Sequence, residues 1–215
     1  NTWETGDSIP ENRRRGAAGT LIVNDKLYLV GGIIDGHYEG HVKWVDVYDL
    51  KNGSWDVLPD APHARDHFHL AYNKGKLIVA GGRRSSAKTG ETFSLTVPQT
   101  DVFDLKNNVW ETITSSLNIP TERAGCTSLG LKNGALVVGG ESGMQKEAHS
   151  EVEYLDLKKM QWIELPGLVH GRHGTQLVNF NDTLYIASGS GNRGGGPELT
   201  SLEMVPLSLI FNTKP

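Results

Sequence analysis

The chain has 215 residues, a formal net charge of −4 and a pI near 6.1, and 21% of its residues are charged. This length is sufficient for a substantial hydrophobic core, and the mildly acidic balance argues against a general nucleic-acid binder, which needs a basic surface facing the phosphates. The one cysteine, Cys126, excludes an intrachain disulfide and is expected to be a small buried side chain. No apolar run is long enough for a transmembrane helix, so none is predicted.

The first residues of the chain predict a β-strand. Asn1-Thr2-Trp3-Glu4-Thr5 closely parallels Asn108-Val109-Trp110-Glu111-Thr112 further along the chain. Residues 1–9 are therefore expected to form an outer strand whose three partner strands do not immediately precede it.

The next segment predicts four short strands. Apolar residues alternate with polar ones in runs of four to six residues, as in half-buried strands. Asn52-Gly53 predicts a tight hairpin, because both central residues of a type I′ turn need positive φ. The strands are expected at residues 20–23, 27–30, 45–50 and 55–58.

The same plan recurs along the chain with a fixed spacing. An arginine lies sixteen residues before a double glycine that ends an apolar strand, and in three copies a tryptophan follows. The arginine and glycine sets are Arg15 with Gly31-Gly32, Arg65 with Gly81-Gly82, Arg123 with Gly139-Gly140 and, weakened, Arg172 with Ser188-Gly189. The tryptophans are Trp55, Trp110 and Trp162. A repeat of about fifty residues with this punctuation is typical of a β-propeller, in which each repeat is one blade.

These residues resemble Kelch repeats, and the resemblance covers almost the whole chain. It implies an all-β propeller of four-stranded antiparallel blades in a single domain, residues 1–215. Four blades are expected, at residues 15–60, 65–115, 123–166 and 172–211. The fourth copy lacks a recognisable outer strand. The strand at residues 1–9 would complete it in a closed four-bladed ring; alternatively, the chain is part of a six- or seven-bladed propeller.

Function is expected on one face of the propeller, where the loops between second and third strands meet the links between blades. All eight histidines lie in or next to these segments. The leading hypothesis is a binding module for a protein or glycan. The repeat arginines are expected to serve structure first, but are also candidates for holding an anionic group, because guanidinium binds carboxylates through two donors. The candidate ligand-binding residues are Arg65, Asp66, Arg123, Arg172, Asn192 and Arg193.

An alternative hypothesis is an enzyme acting on a carbohydrate or small anionic substrate near the axis. His67, Glu141 and His173 are the candidates for proton transfer, since imidazole and carboxylate groups perform general acid–base chemistry. His67, His69 and His149 are candidate metal ligands. The sequence does not identify a cofactor.

The cellular location also has a sequence-based prediction. Two glycosylation sequons occur at expected hairpin tips, at Asn52 and Asn181. They slightly favour an extracytoplasmic, secreted protein. A third hypothesis for function, a structural component of an extracellular assembly, follows from the same two sites.

Overall fold

The computed structural model describes residues 1–211, which form seventeen β-strands, three short 3-10 helices and one five-residue α-helix. The predicted domain also includes residues 212–215, which lie outside the described residues. Fifteen strands form four antiparallel sheets, and two form a small hairpin. The sheets are arranged as the blades of a β-propeller, which confirms the all-β fold predicted from the repeats.

The strands follow one another outward within each blade. Blade 1 contains β1 (Gly19–Val23), β2 (Lys26–Val30), β5 (Val45–Asp49) and β6 (Ser54–Leu58), and the hairpin β3 (Ile33–Asp35) with β4 (Glu39–His41) is inserted after β2. Blade 2 contains β7 (Ala71–Asn73), β8 (Lys76–Val79), β9 (Asp101–Asp104) and β10 (Val109–Thr112). Blade 3 contains β11 (Thr127–Leu131), β12 (Gly134–Val138), β13 (Val152–Asp156) and β14 (Gln161–Leu165). Blade 4 contains β15 (Leu177–Phe180), β16 (Thr183–Ala187) and β17 (Leu202–Pro206), followed by α1 (Leu207–Phe211).

Tight turns join the two innermost strands of the blades. Asn24 and Asp25 in blade 1 have φ of 49° and 59°, and Asn181 and Asp182 in blade 4 have φ of 49° and 55°. Asn and Asp tolerate this left-handed conformation better than other side chains with a Cβ. The turn residues therefore set the register of the inner strand pairs.

The hydrophobic core lies between neighbouring blades, and the tryptophans close its outer part. Trp110 of blade 2 donates its indole N–H to the Pro59 carbonyl at 2.9 Å, and Trp162 of blade 3 donates to the Leu117 carbonyl at 2.9 Å. Both acceptors lie in the segment that precedes the tryptophan's own blade. Each indole thus fills the gap towards the preceding blade and satisfies its one polar group.

The double glycines allow each blade to contact the next one closely. A Cβ at Gly31 would lie 2.5 Å from the Arg65 carbonyl oxygen of blade 2, and Gly31 itself has φ +65°. The second glycine of each pair donates its N–H to the arginine carbonyl that starts the next blade. These bonds are Gly32 to Arg65 at 2.8 Å, Gly82 to Arg123 at 2.9 Å and Gly140 to Arg172 at 2.8 Å.

A second series of backbone bonds joins the blades nearer the axis. It connects the residues two positions after each repeat arginine: His67 N–H to the Ala17 carbonyl at 3.0 Å, Gly125 to His67 at 2.7 Å and Gly174 to Gly125 at 3.3 Å. Among residues 1–211, neither series has a bond from blade 4 to blade 1. The described chain therefore forms a succession of four blades that these bonds do not close into a ring.

The expected strand at residues 1–9 is not formed. Residues 1–10 have no strand partner, and the Trp3 side chain is fully exposed. Asp7 is held instead at blade 1, where Tyr48 donates its hydroxyl to the Asp7 carboxylate at 2.8 Å. Within residues 1–211 blade 4 consequently has three strands, and the closed four-bladed ring, one of the two alternatives, is not the observed arrangement.

Candidate functional site

Four long loops emerge on one face of the propeller and are bonded to one another. They comprise residues 33–41, 83–97, 141–149 and 189–199, and we call them the loop platform. Ala87 donates its backbone N–H to the His37 carbonyl at 2.9 Å, and Gly143 donates to Phe93 at 2.9 Å. Arg193 N–H donates to the Lys146 carbonyl at 2.8 Å. Each loop is thus fixed by the loop of the neighbouring blade.

Buried charges lie directly beneath the loop platform. Arg83, on blade 2, donates to the Glu141 carboxylate of blade 3 at 2.6 Å, and both residues are almost completely buried. The other Glu141 oxygen accepts the Gly194 backbone N–H at 2.6 Å and lies 3.5 Å from His173 Nε2. The sequence-predicted pair Glu141 and His173 is therefore brought together, but as part of the support for the loops.

This bonding leaves Glu141 poorly suited to the proton transfer predicted for it. Both carboxylate oxygens have partners, and only 3% of the residue is exposed. His173 uses its Nε2 to bond the Asn192 carbonyl at 2.8 Å. Because a general base must reach the substrate proton, the geometry favours a structural role for these two residues.

A second polar group surrounds Asp66 at the start of blade 2. Its carboxylate is hydrogen-bonded to His67 Nδ1, and it accepts the Ser85 hydroxyl at 2.8 Å. Burial raises the pKa of Asp66, but the hydrogen bonds from His67 and Ser85 outweigh this effect and hold its pKa below the ordinary value. His67 also contacts His37 through their Nε2 atoms, 3.0 Å apart. Asp66 is completely buried, so it orients His67 and Ser85, and the direct ligand contact predicted for it is not available.

The repeat arginines are buried and bonded inside their own blades. Each guanidinium donates to the carbonyl of the residue sixteen positions later and to an acid on the third strand. The acidic partners are Asp101 for Arg65 at 2.7 Å, Glu153 for Arg123 at 2.5 Å and Glu203 for Arg172 at 2.5 Å. Arg65, Arg123 and Arg172 are at most 1% exposed. The ligand-binding role predicted for them is corrected to a structural one, because no donor faces solvent.

The candidate metal ligands lie apart from one another. His67 contacts Asp66 and His37, whereas His69 bonds the Thr127 hydroxyl at 3.1 Å. His149 is enclosed between Ser142 at 2.8 Å and Glu151 at 3.1 Å. Within residues 1–211 no group of three His, Cys, Asp or Glu side chains has a geometry that could hold a metal ion. The predicted site formed by these histidines is therefore not present in the described part of the chain.

The outer surface of the loop platform combines apolar and charged side chains. Ile34 is 55% exposed, Tyr38 48% and Met144 89%. Arg193, predicted from the sequence, is exposed and donates to the Gly143 carbonyl at 3.0 Å. The sequence-based candidates on these loops were chosen among ionisable and amide side chains, so these apolar residues were not predicted. An isolated Ile-Ile or Gly-Met in a polar loop is nevertheless a visible signal.

The two sequon asparagines are accessible. Asn52 and Asn181 both lie in exposed turns outside the strands. Asn52 accepts the Ser54 backbone N–H at 3.1 Å, which orders its turn.

Comparison with known proteins shows the same repeat. The family model described as the KLHDC2/KLHL20/DRC7 Kelch-repeats domain matches residues 1–189. The Kelch-like protein terF of Aspergillus terreus is 27% identical over 97% of this chain and 44% of its own length. The F-box/kelch-repeat protein At4g29370 of Arabidopsis thaliana is 23% identical over 84% of this chain and 41% of its own length. Kelch-like protein 40 of Xenopus tropicalis is 28% identical over 60% of this chain and 19% of its own length.

The chain thus spans less than half the length of these relatives. Within residues 1–211, no helix has the length and apolar character needed to cross a membrane.

Proposed function

The chain belongs to the Kelch-repeat propeller family, and from this premise we propose that it binds a protein partner through the loop platform. Kelch-repeat propellers commonly serve as protein-interaction modules. The observation that carries the proposal is the bonding of each loop to its neighbour, which holds four otherwise irregular segments in one arrangement.

Such preorganisation favours binding because association must offset the entropy lost when mobile loops become ordered. The bonds from Ala87 to His37, Gly143 to Phe93 and Arg193 to Lys146 have already fixed the backbone before a partner arrives. The buried Arg83–Glu141 pair supports the same loops from below. The entropy cost of ordering these loops is therefore offset during folding, so that binding of a partner does not have to offset it.

The exposed side chains suit a protein surface. Tyrosine and methionine bury large areas at interfaces, and both are enriched there relative to other surface residues. Tyr38 and Met144 lie on different loops and are highly exposed. Arg193 adds a guanidinium that binds carboxylates. This combination fits a partner segment with apolar and acidic side chains.

A quantitative capture experiment tests the proposal. The chain is immobilised, and the proteins that bind to it are compared for the wild type, the double variant Tyr38→Ala/Met144→Ala and the control Val109→Ala. The exposed side chain of Val109 lies on the outer strand of blade 2, away from the loop platform. A partner should bind wild type and control equally and be lost with the double variant. Binding that survives the double variant, or that is lost with the control, contradicts the loop platform as the site.

The alternative ligand class is a glycan, and a glycan array with the same variants separates the two. If the chain retains a glycan and Tyr38→Ala/Met144→Ala abolishes this retention, the ligand is a carbohydrate and not a protein. The extracytoplasmic location and the structural role in an extracellular assembly remain predictions. Mass measurement of peptides containing Asn52 or Asn181 from the native source tests them, since a glycan requires passage through the secretory route.

A further inference from the structure

A cavity of about 430 Å³ lies between blades 3 and 4, beside the core that they share. Its walls are almost entirely apolar and include Leu136, Val152, Pro166, Leu184, Val205 and Ile210. The corresponding gaps before blades 2 and 3 are closed by Trp110 and Trp162. Blade 4 has no outer strand among residues 1–211, and with it lacks the indole that would fill this space.

One residue of the cavity wall has the repeat position of the residues that bind an indole elsewhere in the chain. Pro59 and Leu117, which accept the indole N–H of Trp110 and Trp162, each lie six residues before the next repeat arginine. Pro166 lies six residues before Arg172 and lines the cavity. The cavity therefore has apolar walls, and Pro166 occupies the repeat position whose carbonyl accepts the indole N–H in blades 2 and 3.

Strand β17 lies at the edge of its sheet, and its outer side has no partner strand within residues 1–211. In blades 1 to 3 the third strand pairs with an outer strand, whereas β17 has no such partner in the described chain. Leu202 and Met204 on this strand are 59% and 67% exposed. An edge of this kind presents backbone donors and acceptors to another strand.

Residues 1–5 have the sequence of an outer strand but form none. Trp3 occupies the same place in its segment as Trp110 does in β10, and its side chain is fully exposed. In blades 1 and 3 the outer-strand tryptophan lies opposite a residue of the third strand: Trp55 opposite Tyr48, and Trp162 opposite Leu155. Tyr48 and Leu155 each lie two residues after the acid that binds the repeat arginine. The same count from Glu203 places Trp3 opposite Val205, and Glu4 opposite Met204.

Blade 4 also has an uncovered face on the side away from blade 3. Val178, Phe180 and Met204 are 52%, 64% and 67% exposed on this face. The equivalent positions of blade 3 are Leu129, Leu131 and Tyr154, which pack against blade 4. Such a patch of large apolar side chains marks an interaction surface.

The backbone at the two ends of the blade succession is complementary. Gly189 corresponds to the glycines that donate to the next blade's arginine carbonyl, and its N–H has no partner within residues 1–211. At the other end, the Arg15 carbonyl that would accept such a bond has none in the same range. The end of blade 4 thus matches the beginning of blade 1.

We propose that a second copy of this chain completes blade 4. The second copy's blade 1 covers the face containing Phe180, and its residues 1–5 add the outer strand to β17, with Trp3 in the cavity. The two contacts arise together, because Asp7 is anchored to blade 1 by Tyr48 and Trp55 and holds the segment beside that blade. The contact is head-to-tail, so it allows chains of more than two copies.

Ser188 sets how closely the second copy approaches. It stands where the other blades have a first glycine, and it has φ 61°. At the equivalent Gly31 a Cβ would lie 2.5 Å from the next blade's arginine carbonyl. The incoming blade must therefore lie slightly further out than in the other boundaries, and Ser188→Gly should tighten the association.

Cross-linking of two single-cysteine variants tests the pairing. Glu4→Cys and Met204→Cys are prepared separately, and the buried native Cys126 serves as an unreactive background. A short bismaleimide should link the two variants only when they are mixed, since neither carries both new thiols. If mixing yields no linked pair, or if a Glu4→Cys/Met204→Cys double variant links only within one chain, the second-copy pairing is wrong.

Light scattering across a concentration series tests the same contact without added thiols. Wild type should associate, and Trp3→Ala and Phe180→Glu should each weaken association by about tenfold or more, as expected for anchoring side chains. Val109→Glu, at an exposed position outside both surfaces, should leave association unchanged. The proposal is overturned if the wild-type chain is monomeric over the whole concentration series. It is also overturned if Trp3→Ala and Phe180→Glu leave the association unchanged.

Discussion

Arg83 and Glu141 form a buried ion pair across the boundary between blades 2 and 3, with the Nη1 and Oε1 atoms 2.6 Å apart. Arg83 also lies over the Phe93 ring, 4.9 Å from its centroid, and Glu141 accepts the Gly194 N–H. One pair therefore connects the loops of three blades. The loop platform depends on it for its shape.

Removal of Glu141 should destabilise the whole domain. Glu141→Ala leaves the Arg83 guanidinium buried without its charge partner, which costs about 3–5 kcal/mol in comparable sites. Urea unfolding measures the change in the free energy of unfolding. The exposed Glu147 on the same loop is the matched control, and Glu147→Ala should stay within about 0.5 kcal/mol of wild type. Equal effects of the two variants would show that the buried pair does not support the fold.

Substitution of the first glycine of a double glycine should destabilise the domain for two separable reasons. Gly31→Ala introduces both a left-handed alanine and a Cβ against the Arg65 carbonyl, whereas Gly36→Ala introduces only the left-handed alanine, at φ +54° with open space around it. The backbone conformation costs roughly 1–2 kcal/mol, and crowding adds about 1–3 kcal/mol. Thermal unfolding should therefore show a larger loss for Gly31→Ala. If the two losses are equal, close approach of the blades is not what the glycine provides.

The inner half of each blade is predictable from the sequence because its determinants are local. Arginine, strand, turn and double glycine recur with constant spacing, and the turn residues Asn24 and Asp25 have the conformation that their type favours. The role of the arginines is harder to predict, since Arg65 meets Asp101 36 residues later and Arg123 meets Glu153 30 residues later. An acid near the start of each third strand was nevertheless a usable signal.

The candidate site is less predictable for a physical reason. The concentration of histidines on one face follows from the sequence, but hydrogen bonding gives each imidazole a separate environment. His69 meets Thr127 of the next blade, while His149 meets Ser142 and Glu151 of its own. These contacts depend on how loops of different length pack together. Likewise, the likeness of residues 1–5 to an outer strand says nothing about which sheet edge lies within reach.

Thr127 should couple blades 2, 3 and 4 through one hydroxyl. Its Oγ1 accepts the Leu177 backbone N–H of blade 4 at 2.9 Å and bonds His69 of blade 2 at 3.1 Å. Thr127→Val keeps the shape but leaves a buried N–H unsatisfied, which costs about 1–3 kcal/mol. Thr127→Ser retains the hydroxyl and should recover most of this loss in chemical denaturation. A valine variant as stable as the serine variant would show that the hydroxyl contributes nothing.

His149 should make the domain less stable as the solution becomes acidic. Burial lowers the pKa of His149 below its ordinary value of 6.5, although Glu151 acts in the opposite direction. Below pH 6.5 the unfolded chain therefore binds a proton that the folded chain does not, so the stability is fully present above that value and is lost as the pH falls towards the folded pKa. His149→Gln should flatten the fall in unfolding free energy between about pH 7.5 and about pH 5.5, the range in which imidazoles titrate.

A second histidine shows whether this effect comes from burial. Burial lowers the pKa of His69 as well, and the double variant His69→Gln/His149→Gln should flatten the profile further. The comparison rests on differences in slope, because acidic groups such as Asp66, whose pKa is held low by hydrogen bonds, also lose stabilising interactions at lower pH. A His149→Gln profile parallel to wild type would mean that the folded and unfolded imidazoles bind protons alike.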